Sequence, residues 1–158
     1  MKFRNISFGA TSAVMTSVAI IIGLGGTVNA KMNIILALLI IAVADNVTDS
    51  FGIHIYQESQ TSSAAEVRRT TLMNFLTRLL ITTLFILFVL FFSLELATIL
   101  AIILGLSVIV GLSYVISAQR NVNPYPVILL HLLLAVIVIG ATFVLRDAIA
   151  AFATTFIT

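Results

Sequence analysis

Polar residues divide the chain into five apolar stretches. VNAK, QESQTSSAAEVRR, SLE and QRNVNP interrupt runs dominated by Ala, Val, Ile, Leu, Met and Phe, and each run approaches the roughly 20 residues a helix needs to cross a hydrocarbon core. The runs cover residues 7–27, 33–56, 72–92, 96–118 and 125–145. Lipid offers the backbone no hydrogen bonds, so each run is expected to be an α-helix. The chain reads as an all-α integral membrane protein with a single transmembrane domain over residues 1–158. The longest loop, about residues 57–71, is too short for a separate domain, and there is no internal repeat or low-complexity tract.

The first run imitates a cleavable leader, with KFRN ahead of it and Val28-Asn29-Ala30 behind. It is nevertheless long enough to span. Its first half, FGATSAVMTS, carries the small and hydroxyl residues of a helix packed against others. Orientation follows from the basic residues of short loops. A cytoplasmic N-terminus puts Lys2, Arg4, Arg68, Arg69, Arg78 and Arg120 inside and only Lys31 and Arg146 outside. An odd number of spans then puts the C-terminus outside.

Composition agrees: 61% of residues are hydrophobic, 9% are charged and the mean hydropathy is +1.22, values outside the range of water-soluble domains. The expected location is a prokaryotic plasma membrane, with the lipid bilayer itself as a partner. Eight basic against six acidic residues raise the pI to about 9.4, but no basic stripe with aromatic interleaving exists, so no nucleic-acid partner is expected. Cysteine is absent. Disulfides, thiolate metal sites and cysteine nucleophiles are thereby excluded, and chemistry must come from Asp, Glu, His or hydroxyls.

The second run ends in ADNVTDSFGIHIYQESQ. Asp45 falls near the bilayer midplane and Asp49 one turn nearer the cytoplasm, each at an insertion cost of about 2.5–3.5 kcal/mol. At 100° per residue, Asp45, Thr48, Asp49, Gly52 and Tyr56 share a face: two carboxylates, a hydroxyl, a glycine that permits close approach and a phenol. This line is a candidate ion path. Asn46, Ser50 and Gln57 widen it, and His54 and Glu58 pair at i, i+4 on the other side, near the cytoplasmic edge. Like charges one turn apart resist simultaneous ionisation, so the pair is expected to retain one proton when no cation is present. A divalent cation would displace that proton, the elementary step of a proton-coupled exchanger. Oxygen ligands without thiolate favour Mn²⁺, Fe²⁺, Mg²⁺ or Ca²⁺ over Cu(I). The alternative is a structural role, with both carboxylates bonded to Ser, Thr or Asn of other helices or paired with Arg78.

The remaining helices offer less. Gly9, Ser12 and Thr16 form a small polar stripe on the first helix, with Met15 beside it, suited to close approach to the second helix. Gly23-Leu24-Gly25-Gly26 reads as a loosened outer end. Arg78, about two turns into the third helix, is expected to snorkel to the cytoplasmic interface or to serve as a counter-ion to Asp49 or Glu58. His131 reads as a hydrogen-bonded packing residue. Ser107 and Gly111 form a small-xxx-small pair that predicts a helix contact.

FGATSAVMTS in the first helix, the end of the second from Gly52 to Ser59-Gln60, the five spans and the cytoplasmic N-terminus together resemble the vacuolar iron transporter family over most of the chain. Members of that family are dimeric, proton-coupled Fe²⁺/Mn²⁺ exporters. The resemblance implies an ion path between the first two helices of two protomers. It also exposes departures. The family's first-helix aspartate falls on Ser12, its metal-contacting methionine on Asp49, and the glutamate after its glycine on Ile53. The segment 57–69 lacks the Glu-rich cytoplasmic helices of eukaryotic members and keeps only Glu58 and Glu66. A carboxylate has thus moved from the first helix to the second, and loss of the thioether weakens selectivity for iron.

The expected function is a proton-coupled divalent-cation transporter working as a homodimer, with Fe²⁺ or Mn²⁺ as substrate and no permanently bound cofactor. Asp45, Asp49, Glu58 and His54 are the metal candidates. Ser12, Met15, Thr16, Thr48, Gly52 and Tyr56 are the path candidates. The competing reading is a non-transporting scaffold or partner subunit whose polar second helix is an oligomer contact. An enzyme is not expected: aspartyl intramembrane proteases take their aspartates from two helices, and the Asp-Gly and Ala-Arg elements of phospholipid-headgroup transferases are missing.

Overall fold

A computed structural model describes residues 2–60 and 63–156, with side chains from residue 7 to residue 152. The side chains of Lys2 and Arg4, used in the orientation count, and the end of the C-terminus lie outside the described residues. The described chain is helical with no strand: α1 (Lys2–Leu24), α2 (Ala30–Ile40), a π-helical turn (Ile41–Asp45), α3 (Asn46–Ser59), α4 (Ala64–Phe91), α5 (Leu94–Gln119) and α6 (Pro124–Phe156). α2, the π turn and α3 are continuous and form the second span. Five helices are therefore long and apolar enough to cross a membrane.

The helices outrun the apolar stretches that predict them. The expected loop at residues 57–71 is mostly helix: α3 runs to Ser59, and α4 starts at Ala64 under the cap of Ser63, whose Oγ accepts from the Glu66 N–H at 3.3 Å. Ser-Ala-Ala-Glu has the capping-box pattern, and its Ser63 bond satisfies an otherwise orphaned amide donor of the first turn even where the sequence is polar. Pro124 opens α6 at the position where a missing N–H costs nothing. α1 ends at Leu24, and Gly25-Gly26 form the turn that leads to α2.

α1 is the central helix. It runs parallel to α4, with Gly9 against Asn74 and Ser12 against Arg78, and parallel to α6, with Gly23 near Thr142 and Gly26 near Arg146. α5 lies antiparallel to it. Ala97, Ala101, Gly105, Ile109, Ser113 and Ser117 recur every four residues and form the buried stripe of α5. A Cβ on Gly105 would lie 3.1 Å from both Val14 Cγ1 and Val18 Cγ2, so glycine there lets α5 settle on α1. Val14, Val18, Ile21, Ile34, Leu38, Phe85 and Val89 fill the core. In a membrane, apolar residues gain little by leaving lipid, so this close packing and the buried polar bonds carry the helix association.

Two expectations about small residues need correction. Gly9 lets α1 approach α4, at Asn74, rather than the second span. Ser107 and Gly111 are exposed, and nothing lies within 4 Å of a Cβ placed on Gly111, so this pair makes no helix contact within the chain. The stripe two residues away, on the opposite side of the helix through Gly105 and Ile109, is the one that faces α1.

Candidate ion centre

Arg78 organises the site. Because α4 begins at Ala64, Arg78 is mid-helix and not two turns from an end. Its side chain is 2% exposed, which rules out snorkelling to the interface. Instead, Nη1 donates to Asp49 Oδ2 at 2.8 Å and to Ser12 Oγ at 2.5 Å, and Nη2 donates to Asp45 Oδ2. One planar fork therefore ties α1, the π turn, α3 and α4 together, as a point-charge ammonium could not. Of the counter-ion roles open to Arg78, Asp49 is the partner, joined by Asp45; Glu58 pairs with His54.

The π turn positions the first carboxylate. At Ile41–Asp45 the helix widens, and the Asn46 N–H reaches back to the Ile41 carbonyl, five residues earlier. Asn46 is buried, and its Nδ2 donates to the Phe75 carbonyl at 3.0 Å and to the Ala42 carbonyl at 3.4 Å. Such bulges are frequent at functional sites. Below it, Asn74 Nδ2 donates to Ser50 Oγ at 3.2 Å. Asn46, Ser50, Asn74 and Arg78 thus form a buried polar seam between α3 and α4, in which Asn46 Oδ1, Asn74 Oδ1 and Arg78 Nε have no protein partner.

The carboxylates sit at the outer edge of this seam. The Asp45 side chain is 50% exposed and that of Asp49 28%, while their common arginine is enclosed. Thr48, Gly52 and Tyr56 continue the exposed line: Thr48 Oγ1 donates to the Ala44 carbonyl at 2.9 Å, a Cβ on Gly52 would meet nothing within 4 Å, and Tyr56 is exposed. The predicted polar face therefore exists, and it lies on the outside of this single chain, flanked by exposed Val43, Val47, Phe51 and Ile55.

The four metal candidates fall into two pairs. Asp45 and Asp49 share Arg78. His54 and Glu58 lie a turn or more further along α3, with His54 Nε2 3.4 Å from Glu58 Oε1 and His54 Nδ1 3.2 Å from Thr71 Oγ1 on α4. Among the described residues no three His, Asp or Glu side chains converge on a point that would hold a metal ion. Of the path candidates on α1, Ser12 belongs to the centre, Thr16 is half-buried, and Met15 turns into a groove shared with α5 and α6, away from the carboxylates.

The sequence leaves Arg78 between an interface position and a counter-ion role, of which the pairing with Asp49 is the one formed, and it does not mark Asn74. The available signal is their spacing: Asn74 and Arg78, four apart within an otherwise apolar run, match Ser50 and Asp49 in the second span as donors match acceptors. Nothing in the periodicity marks the π turn itself.

Comparison of the chain with protein-family models, with curated proteins and with solved structures finds no match.

Proposed function

We propose that the protein is a proton-coupled cation transporter whose ion centre is Asp45 and Asp49 with Arg78 between them, and whose substrate is a divalent cation of the Fe²⁺/Mn²⁺ kind. The observation that carries this reading is the charge balance at mid-span. Two carboxylates contribute two negative charges and the guanidinium one positive charge, which leaves one negative charge on a half-exposed face. Such a charge is costly in hydrocarbon and calls for a positive occupant. One proton neutralises the centre with Arg78 in place. A divalent cation takes the place of that proton on the two carboxylates as Arg78 gives them up and keeps Ser12, and the centre then carries one net positive charge. Metal on one side, and arginine plus proton on the other, then exclude each other, which is the coupling an exchanger needs. A second copy of the chain covers the exposed line Asp45-Thr48-Gly52-Tyr56 and encloses the path between two protomers.

The test is flux into liposomes that hold a pH dye, with Mn²⁺ or Fe²⁺ outside. Uptake coupled to proton movement, lost in Asp49→Asn, is the expected result. Normal coupled flux in that variant would remove Asp49 from the mechanism.

One observation favours a second reading, a non-transporting scaffold or partner subunit. Arg78 is buried and already bonded to Ser12 and both carboxylates, a geometry that would serve to lock four segments together. A well-folded wild-type protein without flux of either cation decides for the scaffold.

A further inference from the structure

A groove of about 590 Å³ runs between α1, α5 and α6, apart from the ion centre. Its walls are apolar, with Phe8 and Met15 on α1, Ile116 on α5 and Leu134 on α6. Its polar groups gather toward the end where α1 starts and α5 stops, and those that can carry charge are of one sign. Arg120 and His131 line it, and no acidic residue does.

The Arg120 side chain makes no ion pair or hydrogen bond among the described residues. Ser113 Oγ donates its single proton to the Ile109 carbonyl at 2.6 Å, so at 2.7 Å from His131 Nδ1 it must act as acceptor. His131 therefore donates from Nδ1, which leaves Nε2 as an acceptor and leaves Arg120 as the group that can donate to an anion. An apolar slot at membrane depth, capped by a free guanidinium, complements an amphiphile with an apolar tail and an anionic head.

We propose that this groove binds an anionic phospholipid, with one acyl chain along the walls formed by Phe8, Ile116 and Leu134 and the phosphate at Arg120. The site is independent of the transport reading, since it shares no residue with the Asp45–Asp49–Arg78 centre.

The test is native mass spectrometry of the full chain released from nanodiscs of phosphatidylglycerol and phosphatidylcholine in equal amounts. Preferential retention of phosphatidylglycerol is expected. Arg120→Gln, an exposed position at a helix end, should reduce that preference about five-fold, the effect of one basic residue on an anionic lipid. Arg69→Gln, also exposed and at the same end on α4, should leave it unchanged. Thr11→Trp, which places an indole in the groove without touching Arg120, should abolish retention. Free glycerol phosphate, which offers the headgroup without a tail, should not displace the lipid. Equal retention of the two lipids, equal loss in Arg69→Gln, full retention in Thr11→Trp, or displacement by glycerol phosphate would each overturn the proposal. So would a dimer that retains no lipid because a second copy fills the groove.

Discussion

Arg78 donates through Nη1 to Asp49 Oδ2 at 2.8 Å and thereby ties the middle of α4 to the first turn of α3. Removing the cation leaves two carboxylates side by side in the membrane. Arg78→Gln is expected to destabilise the protein by about 3 kcal/mol, the lower end for breaking a buried pair because the aspartates are partly exposed. Asp49→Asn should cost less, since Asp45 remains on the guanidinium. The double variant should be less damaging than the sum of the two. Thermal unfolding in detergent checks all three, and strict additivity would show that the pair is not coupled.

Gly9 touches the same seam from α1. A Cβ there would lie 2.5 Å from Asn74 Oδ1 and 3.3 Å from Arg78 Cγ, and Asn74 is held in place by Ser50. Gly9→Val should cost about 1–3 kcal/mol by forcing α1 and α4 apart. Gly52→Ala, with open space around it, should stay within about 0.5 kcal/mol in the isolated protomer. Unfolding of the two variants side by side separates a glycine required inside the chain from one on its outer face.

Asn46 supports the π turn through the Phe75 and Ala42 carbonyls. Asn46→Leu leaves both carbonyls without that donor and should cost about 1–3 kcal/mol. Faster amide exchange is expected at residues 41–46, where the widened turn depends on the side chain. Unchanged exchange there would mean that the backbone holds the bulge by itself.

Ser63 caps α4 through the Glu66 N–H. Ser63→Ala should lower stability by about 1 kcal/mol, the usual cost of losing such a cap. Because the cap lies far along α4 from Arg78, its effect should add to that of Asp49→Asn in a double variant.

The five spans were legible because the demand that backbone polar groups be satisfied in lipid leaves one solution for an apolar run of that length. Helix ends were not, since a capping-box pattern at Ser63 and Glu66 extends α4 through polar residues that hydropathy reads as loop. The polar face of the second span was legible from the period of Asp45, Thr48, Asp49, Gly52 and Tyr56. The place of Arg78 was not, because its depth depends on where α4 begins, and its choice of partners depends on α1 lying parallel to α4. Ser107 and Gly111 show the same limit from the other side: a small-residue pair predicts a contact surface, but helix rotation decided that Gly105, Ala101 and Ala97 would be buried.

The claim on which the rest depends is that Asp45 and Asp49 together hold one exchangeable positive charge beside Arg78. Proton release on metal addition tests it most directly. Purified protein in weak buffer is titrated with Mn²⁺ or Fe²⁺ while pH and thermal stability are followed together, since a ligand that binds only the folded state raises its apparent stability. Protons released in proportion to the metal bound, with a rise in stability, and the loss of both effects in Asp45→Asn and in Asp49→Asn, are the expected results. Stabilisation without proton release, or neither effect with either cation, would contradict the account.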